Sequence, residues 1–144
     1  MSKKRSAANS SSKPLSAHTF FIDRSLGQKI VAQALRDAGA TVVVHDDRFP
    51  PDAPDEDWLH EVGQRGWIVL TKDKMIRYRD TERVAIIRAG VRAFVLIGKN
   101  MKGPEMGAAF VRALPAIVRL LARRRPPFIA TIPSGGSISQ VFEL

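Results

Sequence analysis

Aspartates follow three apolar, β-rich runs of the chain and so mark comparable points of the fold. Asp23 follows TFFI, Asp46 and Asp47 follow TVVVH, and Asp73 follows WIVLTK. Carboxylates held close together repel one another, so a cluster of them needs a cation or wide separation. Carboxylate oxygens suit Mg²⁺ or Mn²⁺, and the chain has no cysteine to favour a softer metal. The candidate chemistry is metal-assisted activation of water near a phosphate.

Basic side chains surround the last of these acids and extend along the second half of the chain. Lys72, Lys74 and Arg77 are placed to meet phosphates that such a metal would serve. The net charge of +9 is uneven, because residues 74–125 contribute +10 whereas residues 20–73 contribute −4. A basic surface attracts polyanions, of which nucleic acid is the usual candidate. The competing interpretation is that the excess charge only keeps the protein soluble.

Strands that alternate with helices would bring the acids together. The predicted order is strand 19–22, helix 26–39, strand 40–47, helix 55–65, strand 67–73, helix 80–90, strand 91–97, helix 104–124 and a hairpin over 128–142. Pro115 is expected to kink or split the last helix. This order predicts an α/β fold, a three-layer α/β/α sandwich with a mainly parallel sheet and a C-terminal β-hairpin. Ligands of such sheets bind outside the carboxyl ends of the strands, where the aspartates converge.

Length and composition predict one compact domain preceded by a tail. The 144 residues suffice for a single core. Residues 1–17 are small, polar and basic, so we expect a disordered tail, followed by one domain over residues 18–144. The basic start does not lead into an apolar export signal, and no apolar run approaches the roughly 20 residues of a membrane span. A cytoplasmic protein without membrane contact is expected.

Three segments of the chain resemble a known family. FFID at the first strand, PDEDW at the start of a helix and GWIVLTKD at a later strand are similar to PIN-like ribonuclease domains, specifically the VapC-type toxins of toxin–antitoxin pairs. The resemblance covers residues 19–97. It implies an α/β/α fold, three or four acids that bind Mg²⁺ or Mn²⁺, and metal-dependent cleavage of RNA. It also implies a protein antitoxin as a partner and leaves formation of a homodimer open.

The family's acids can be assigned to positions of this sequence. By resemblance, Asp23 matches the acid of the first strand and Asp73 the acid of the T-K-D strand, which makes them the leading catalytic candidates. Asp55 takes the position of the helix acid, with Asp57 as the alternate metal ligand in the run that also holds Glu56. Asp55 also has the type and position of a helix N-cap.

The sequence leaves open which other acids would complete the metal site. Some relatives carry a second acid two residues beyond T-K-D, where this chain has Met75. Asp80 or Glu82 could substitute, although Asp80 precedes a helical pattern and is also a natural cap. Asp47 could be a ligand or could cap the loop that follows it.

The sequence also contains three histidines and allows two other functions. His18, His45 and His60 lack the mutual spacing of metal ligands, so they are left out of the predicted site. A receiver-like phosphoacceptor domain would also collect acids at a sheet edge, but its acidic pair should follow the first strand. A non-catalytic, basic nucleic-acid-binding module is the remaining alternative, in which the acids serve only as caps and loop residues.

Overall fold

A computed structural model describes residues 14–144 of the protein. Residues 1–13 lie outside the described range, so the tail predicted over residues 1–17 stays a prediction. A short 3₁₀ turn, Leu15–Ala17, precedes the first strand. Among the described residues, no helix is both long enough and apolar enough to cross a membrane.

A single mixed sheet forms the middle layer of the domain. Its strands are β1 (Thr19–Ile22), β2 (Thr41–Val44), β3 (Ile68–Thr71), β4 (Arg92–Leu96), β5 (Phe128–Ile132) and β6 (Gln140–Glu143). The order across the sheet is β2-β1-β3-β4-β5-β6. Neighbours from β2 to β5 pair in parallel, and β6 pairs antiparallel with β5. The parallel sheet and the terminal hairpin are confirmed.

Helices connect the strands and cover both faces. They are α1 (Ile30–Asp37), the short α2 (His45–Arg48), α3 (Asp55–Arg65), α4 (Asp80–Ala89) and α5 (Gly103–Arg123). The helices α1 and α5 pack together, as do α3 and α4. Each pair lies against a different apolar cluster, which confirms the predicted three-layer sandwich.

Alternate residues of each central strand enter the two clusters. Phe20 and Ile22 of β1 pack toward α1 and α5, whereas Phe21 packs toward α3 and α4. Phe94 of β4 and Phe128 of β5 meet edge to face on the α1 and α5 side. Because both faces are covered, the strands read as continuous apolar runs without alternation, as parallel sheets do.

The structure differs from the sequence-based prediction at two element ends and inside one helix. Strand β2 stops at Val44, and the next four residues form α2, so Asp46 and Asp47 lie on a helical turn beyond the strand. Helix α1 begins at Ile30 instead of residue 26, because Gly27 has a positive φ of 79° that ends a preceding 3₁₀ turn. Helix α5 is not split at Pro115, whose ring lies on the exposed side where solvent can bond to the carbonyl left unpaired.

The strand order creates a crevice at one position of the sheet. The chain leaves β1 for β2 on one side and then returns past β1 to form β3 on the other side. Connections on the two sides therefore depart in opposite directions above β1, at the carboxyl ends of the strands. Ligands of doubly wound sheets bind at such a switch point.

Close packing of α3 on α4 gives a test of the fold. A Cβ atom at Gly63 would lie 2.4 Å from Cβ of Ala89 and 2.5 Å from its carbonyl oxygen. Replacing glycine in a helix by alanine gains about 1 kcal/mol of helix propensity, whereas overpacking costs about 1–3 kcal/mol. Because backbone lies in the way, we expect Gly63→Ala to lower the free energy of unfolding in a urea titration.

The matched control is Gly135→Ala. A Cβ atom at Gly135 meets no other atom within 4 Å, and its φ is not among the positive values. Its midpoint in urea should stay at the parent value or rise slightly, because alanine lowers the conformational entropy of the unfolded chain. An unchanged or raised midpoint for Gly63→Ala would contradict the tight α3–α4 contact.

Candidate active site

A pocket of about 420 Å³ opens at the switch point of the sheet. It is lined by Asp23, Arg24, Ser25, His45, Pro51, Ala53, Asp55, Trp58 and Asp73. We call it the acidic pocket. The three predicted catalytic residues thus come from three separate segments, after β1, at the start of α3 and after β3, and line one space.

Asp23 is the most buried of the three acids, with 7% of its surface exposed. Its Oδ1 atom accepts a hydrogen bond from the Ser25 amide at 2.8 Å and another from the Ser25 hydroxyl. Its Oδ2 atom accepts from the Thr71 hydroxyl at 2.5 Å. Burial raises the pKa of Asp23, these hydrogen bonds oppose the rise, and the nearby charge of Asp73 adds to it.

Asp73 is held by a cation from its own chain. It begins a 3₁₀ turn, where its Oδ1 accepts from the Met75 amide at 3.0 Å. The guanidinium of Arg79 donates to both oxygens of Asp73, at 2.5 and 3.3 Å, and reaches Glu82 at 3.1 Å. Hydrogen bonds to Asp73 and Glu82 raise the pKa of Arg79. The lone acid of the TKDK segment therefore has a defined positive partner.

Asp55 occupies the first turn of α3. The helix begins at Asp55 itself, and the capping position before it is Pro54, so Asp55 is not the N-cap. Its Oδ1 atom accepts from the indole N–H of Trp58 at 2.9 Å. Trp58 is 2% exposed and stacks on Phe21 of β1. This packing places the start of α3 above the sheet.

The remaining predicted ligands do not line the acidic pocket. Asp47, Asp57 and Asp80 are absent from its wall, and Asp80 instead lines a separate groove between α3 and α4. Glu82 is 6% exposed and connects to Asp73 through Arg79. Of the two acids at the start of α4, Glu82 therefore lies closer to the network of the pocket.

The predicted phosphate-contacting residues surround Asp73 in different environments. Lys74 is exposed and Lys72 is partly exposed, with the Lys72 amide donating to the Ser25 hydroxyl at 2.9 Å. The guanidinium of Arg77 lies 3.8 Å from the ring centre of Phe142 in β6. Arg77 is therefore partly committed to packing, and the two lysines remain available to a polyanion.

His45 lies in the pocket although the histidine spacing of the sequence did not predict it there. His45 lines the acidic pocket, is 3% exposed and bonds to Asp46 through Nδ1 at 2.8 Å. The three histidines do not have the spacing of metal ligands along the chain. The neighbours of His45 in the pocket are carboxylates from other segments, so histidine spacing does not reveal it. Only its position after a buried strand, beside Asp46 and Asp47, hinted at the site.

The acidic pocket has the donor atoms that a hard divalent cation prefers, but its carboxylates are engaged by protein groups. Within residues 14–144, no three acidic or histidine side chains are gathered closely enough to hold an ion as they stand. Asp73 bonds to Arg79, Asp55 to Trp58, and Asp23 to hydroxyl groups. Three carboxylates in one pocket fit Mg²⁺ or Mn²⁺ in chemistry, and Arg79 bonds to the oxygens of Asp73 that an ion would use.

Burial of Asp23 gives a second prediction. A carboxyl whose pKa is raised by folding destabilises the folded state once it ionises, and this cost is complete above the folded pKa. Asp23→Asn removes the buried charge and keeps a side chain of the same shape. In metal-free buffer at pH 7.5 we expect its melting temperature to rise by about 4 °C, which is about 1 kcal/mol in a domain this size.

The pH dependence separates this cause from a general effect of the substitution. Below the ordinary value of 3.8, Asp23 is protonated in both states, so the difference between variant and parent should shrink as pH falls toward that value. Asp37→Asn, at the exposed end of α1, should show no such difference. A gain that is equal at all pH values would contradict the assigned cause.

Comparison with known proteins places these features in a family. Residues 19–98 match the family model of a PIN like domain, which confirms the resemblance seen over residues 19–97. The chain is 33% identical over 116 residues to a protein named "Putative ribonuclease VapC45" from Mycobacterium tuberculosis (strain ATCC 25618 / H37Rv). That alignment covers 78% of this chain and 83% of the relative. No solved structure matches significantly. More than half of the chain fits the family model, and the chain therefore belongs to the PIN-like domain family.

Proposed function

We propose that the protein is a metal-dependent endoribonuclease and acts as the toxin of a toxin–antitoxin pair. The observation that carries this proposal is that Asp23, Asp55 and Asp73 line one pocket at the switch point of the sheet. Membership of the family and the name of the relative, a ribonuclease, support the same reaction class.

The residues of the pocket have separate roles in the proposed reaction. Asp23, Asp55 and Asp73 hold Mg²⁺ or Mn²⁺. When bound, the cation supplies Lewis acidity that activates water and offsets charge on the phosphate. Asp23 is fixed by Ser25 and Thr71, so its carboxylate keeps one orientation. Asp73 is held beside it by the 3₁₀ turn that its own side chain caps.

RNA reaches the pocket along its basic border. Lys72 and Lys74 flank Asp73, and the exposed Arg24 also lines the pocket. The guanidinium of Arg24 donates to Asp46 at 3.0 Å and to the carbonyl of Pro51 at 3.2 Å, which fixes its direction. These side chains position the phosphate backbone, whose charge dominates nucleic-acid affinity.

An antitoxin silences the enzyme by covering the acidic pocket. The contact between Arg79 and Asp73 provides a model for this inhibition. A guanidinium bonded to both oxygens of Asp73 competes with a metal ion for that carboxylate. A partner that inserts an arginine among the acids would act in the same way. The proposed partners are therefore a protein antitoxin, as the inhibitor, and RNA, as the substrate.

The central test is cleavage of mixed RNA by the purified protein with and without Mn²⁺ or Mg²⁺. Asp73→Asn removes one ligand charge and should abolish cleavage. In the parent, the ion should also raise the melting temperature, since a ligand that binds only the folded state stabilises it. The shift should be much smaller in the variant.

The control for this test is Asp37→Asn, which removes an exposed aspartate charge at the end of α1, outside the acidic pocket. It should cleave RNA and respond to Mn²⁺ as the parent does. Equal thermal shifts in the parent and in Asp73→Asn would count against the assigned site. RNA binding that is independent of metal and without cleavage would favour the non-catalytic nucleic-acid-binding alternative.

Arg79 gives a further prediction about the same site. Because its guanidinium competes with the cation for Asp73, Arg79→Met should lower the dissociation constant for Mn²⁺ measured by calorimetric titration. The pair is partly exposed and its contribution is therefore modest, so we expect about a fivefold decrease. Arg83→Met changes an exposed arginine of α4, the helix that Arg79 precedes, and should leave the dissociation constant unchanged. A weaker affinity in Arg79→Met would show that Arg79 supports the site instead of competing for it.

A further inference from the structure

We propose that His45 is a nitrogen ligand of the cation in the acidic pocket, bound through the Nε2 atom of its imidazole. The inference rests on the proposed function, because it concerns the same cation. It adds a ligand type that the carboxylates do not supply, and it therefore predicts which metal ions the site prefers.

The ring of His45 is held firmly in the wall of the pocket. It follows β2, the strand next to β1, and is 3% exposed. Three aromatic rings surround it, with centroid distances of 6.0 Å to Phe21, 5.6 Å to Phe49 and 6.0 Å to Trp58. A ring packed in this way has little freedom to turn, so its two nitrogens keep distinct surroundings.

One nitrogen of the ring has a fixed partner. The Nδ1 atom lies 2.8 Å from Oδ1 of Asp46. The same carboxylate accepts from Arg24 at 3.0 Å and from Gln28 at 2.6 Å, so it is anchored from two further directions. Since a carboxylate accepts hydrogen bonds, Nδ1 carries the proton, and the lone pair of the neutral ring lies on Nε2.

The second nitrogen is the one without a protein partner. Within residues 14–144, His45 makes no side-chain hydrogen bond other than the one to Asp46. A buried polar atom with no partner costs free energy unless water or a ligand satisfies it. A carboxylate on one ring nitrogen and a metal on the other is the usual arrangement of metal-binding histidines, because the carboxylate fixes the tautomer and orients the ring.

A mixed ligand set changes the ion preference of the site. Carboxylates alone serve Mg²⁺ and Mn²⁺, whereas an imidazole nitrogen favours the later divalent transition metals. The protein should therefore bind Co²⁺ and Mn²⁺ more tightly than Mg²⁺, and His45 should account for the part of the Co²⁺ preference that exceeds the preference of carboxylates alone.

Pulsed electron paramagnetic resonance on the Mn²⁺ complex tests the ligand directly. With the full chain and no purification tag, the parent should show electron spin echo modulation from a bound ¹⁴N nucleus. His45→Asn should bind Mn²⁺ without that modulation. Asparagine is the matched substitution, because its amide can still donate to Asp46 in the place of Nδ1 while nothing replaces Nε2.

Calorimetric titration measures the effect on affinity. In His45→Asn the affinity for Co²⁺ should fall about tenfold, whereas the affinity for Mg²⁺ should change less than about twofold. Asp46→Asn keeps the imidazole but weakens its orientation, and it should also lose about tenfold in Co²⁺ affinity. His60→Asn, an exposed histidine outside the acidic pocket, should match the parent for every ion.

The outcomes distinguish this inference from the function on which it rests. If Mn²⁺ binds in a manner that depends on Asp73 but no ¹⁴N modulation appears in the parent, His45 is not a ligand and the proposed nuclease site stands. If no ion binds the parent, both proposals fail together. Should His45→Asn not fold, the parent spectrum and the Asp46→Asn titration still decide.

Discussion

Electrostatic repulsion among carboxylates is the constraint around which the acidic pocket is organised. The parallel sheet brings Asp23 and Asp73 to neighbouring strand ends, and α3 adds Asp55 above them. A folded chain can carry such a group only when each charge is compensated. Here the compensation is local and of three kinds, hydroxyl groups at Asp23, an indole at Asp55 and a guanidinium at Asp73. In the proposed function the same oxygens have two roles, because they bond to these protein groups in the fold and would also receive the cation.

This sharing connects the packing of the domain to the chemistry of the pocket. Trp58 belongs to the core beneath α3, yet its N–H holds a carboxylate of the site. His45 likewise lies among aromatic rings of the core while Asp46 fixes its ring. Because buried side chains make these contacts, the pocket is held in place by the apolar cluster that packs against α3 and α4. Its most exchangeable contact is the one to Arg79, whose side chain is 45% exposed.

Much of this arrangement could be predicted from the sequence, for identifiable reasons. Strands covered on both faces leave continuous apolar runs, so β1, β3 and β4 can be recognised without coordinates, as can the acids Asp23 and Asp73 that follow β1 and β3. The roles of Asp55 and Asp57 could not be separated in the same way, because that depends on which carboxylate meets Trp58. His45 was missed because its partners in the pocket are distant in sequence. Arg79 was missed because an arginine six residues beyond Asp73 looks the same whether or not it folds back.

The C-terminal third of the chain packs against the segment that matches the family model. The family match ends at residue 98, but every residue of β5 is buried, Phe128 packs edge to face on Phe94, and Phe142 of β6 receives Arg77 from the turn after Asp73. A fragment cut at the end of the match would leave β4 as an unpaired, apolar border that invites association with other chains. Residues 19–98 therefore depend on the C-terminal strands for their packing, and a substitution at Phe142 can shift Arg77 and the turn after Asp73 without altering any acid of the pocket.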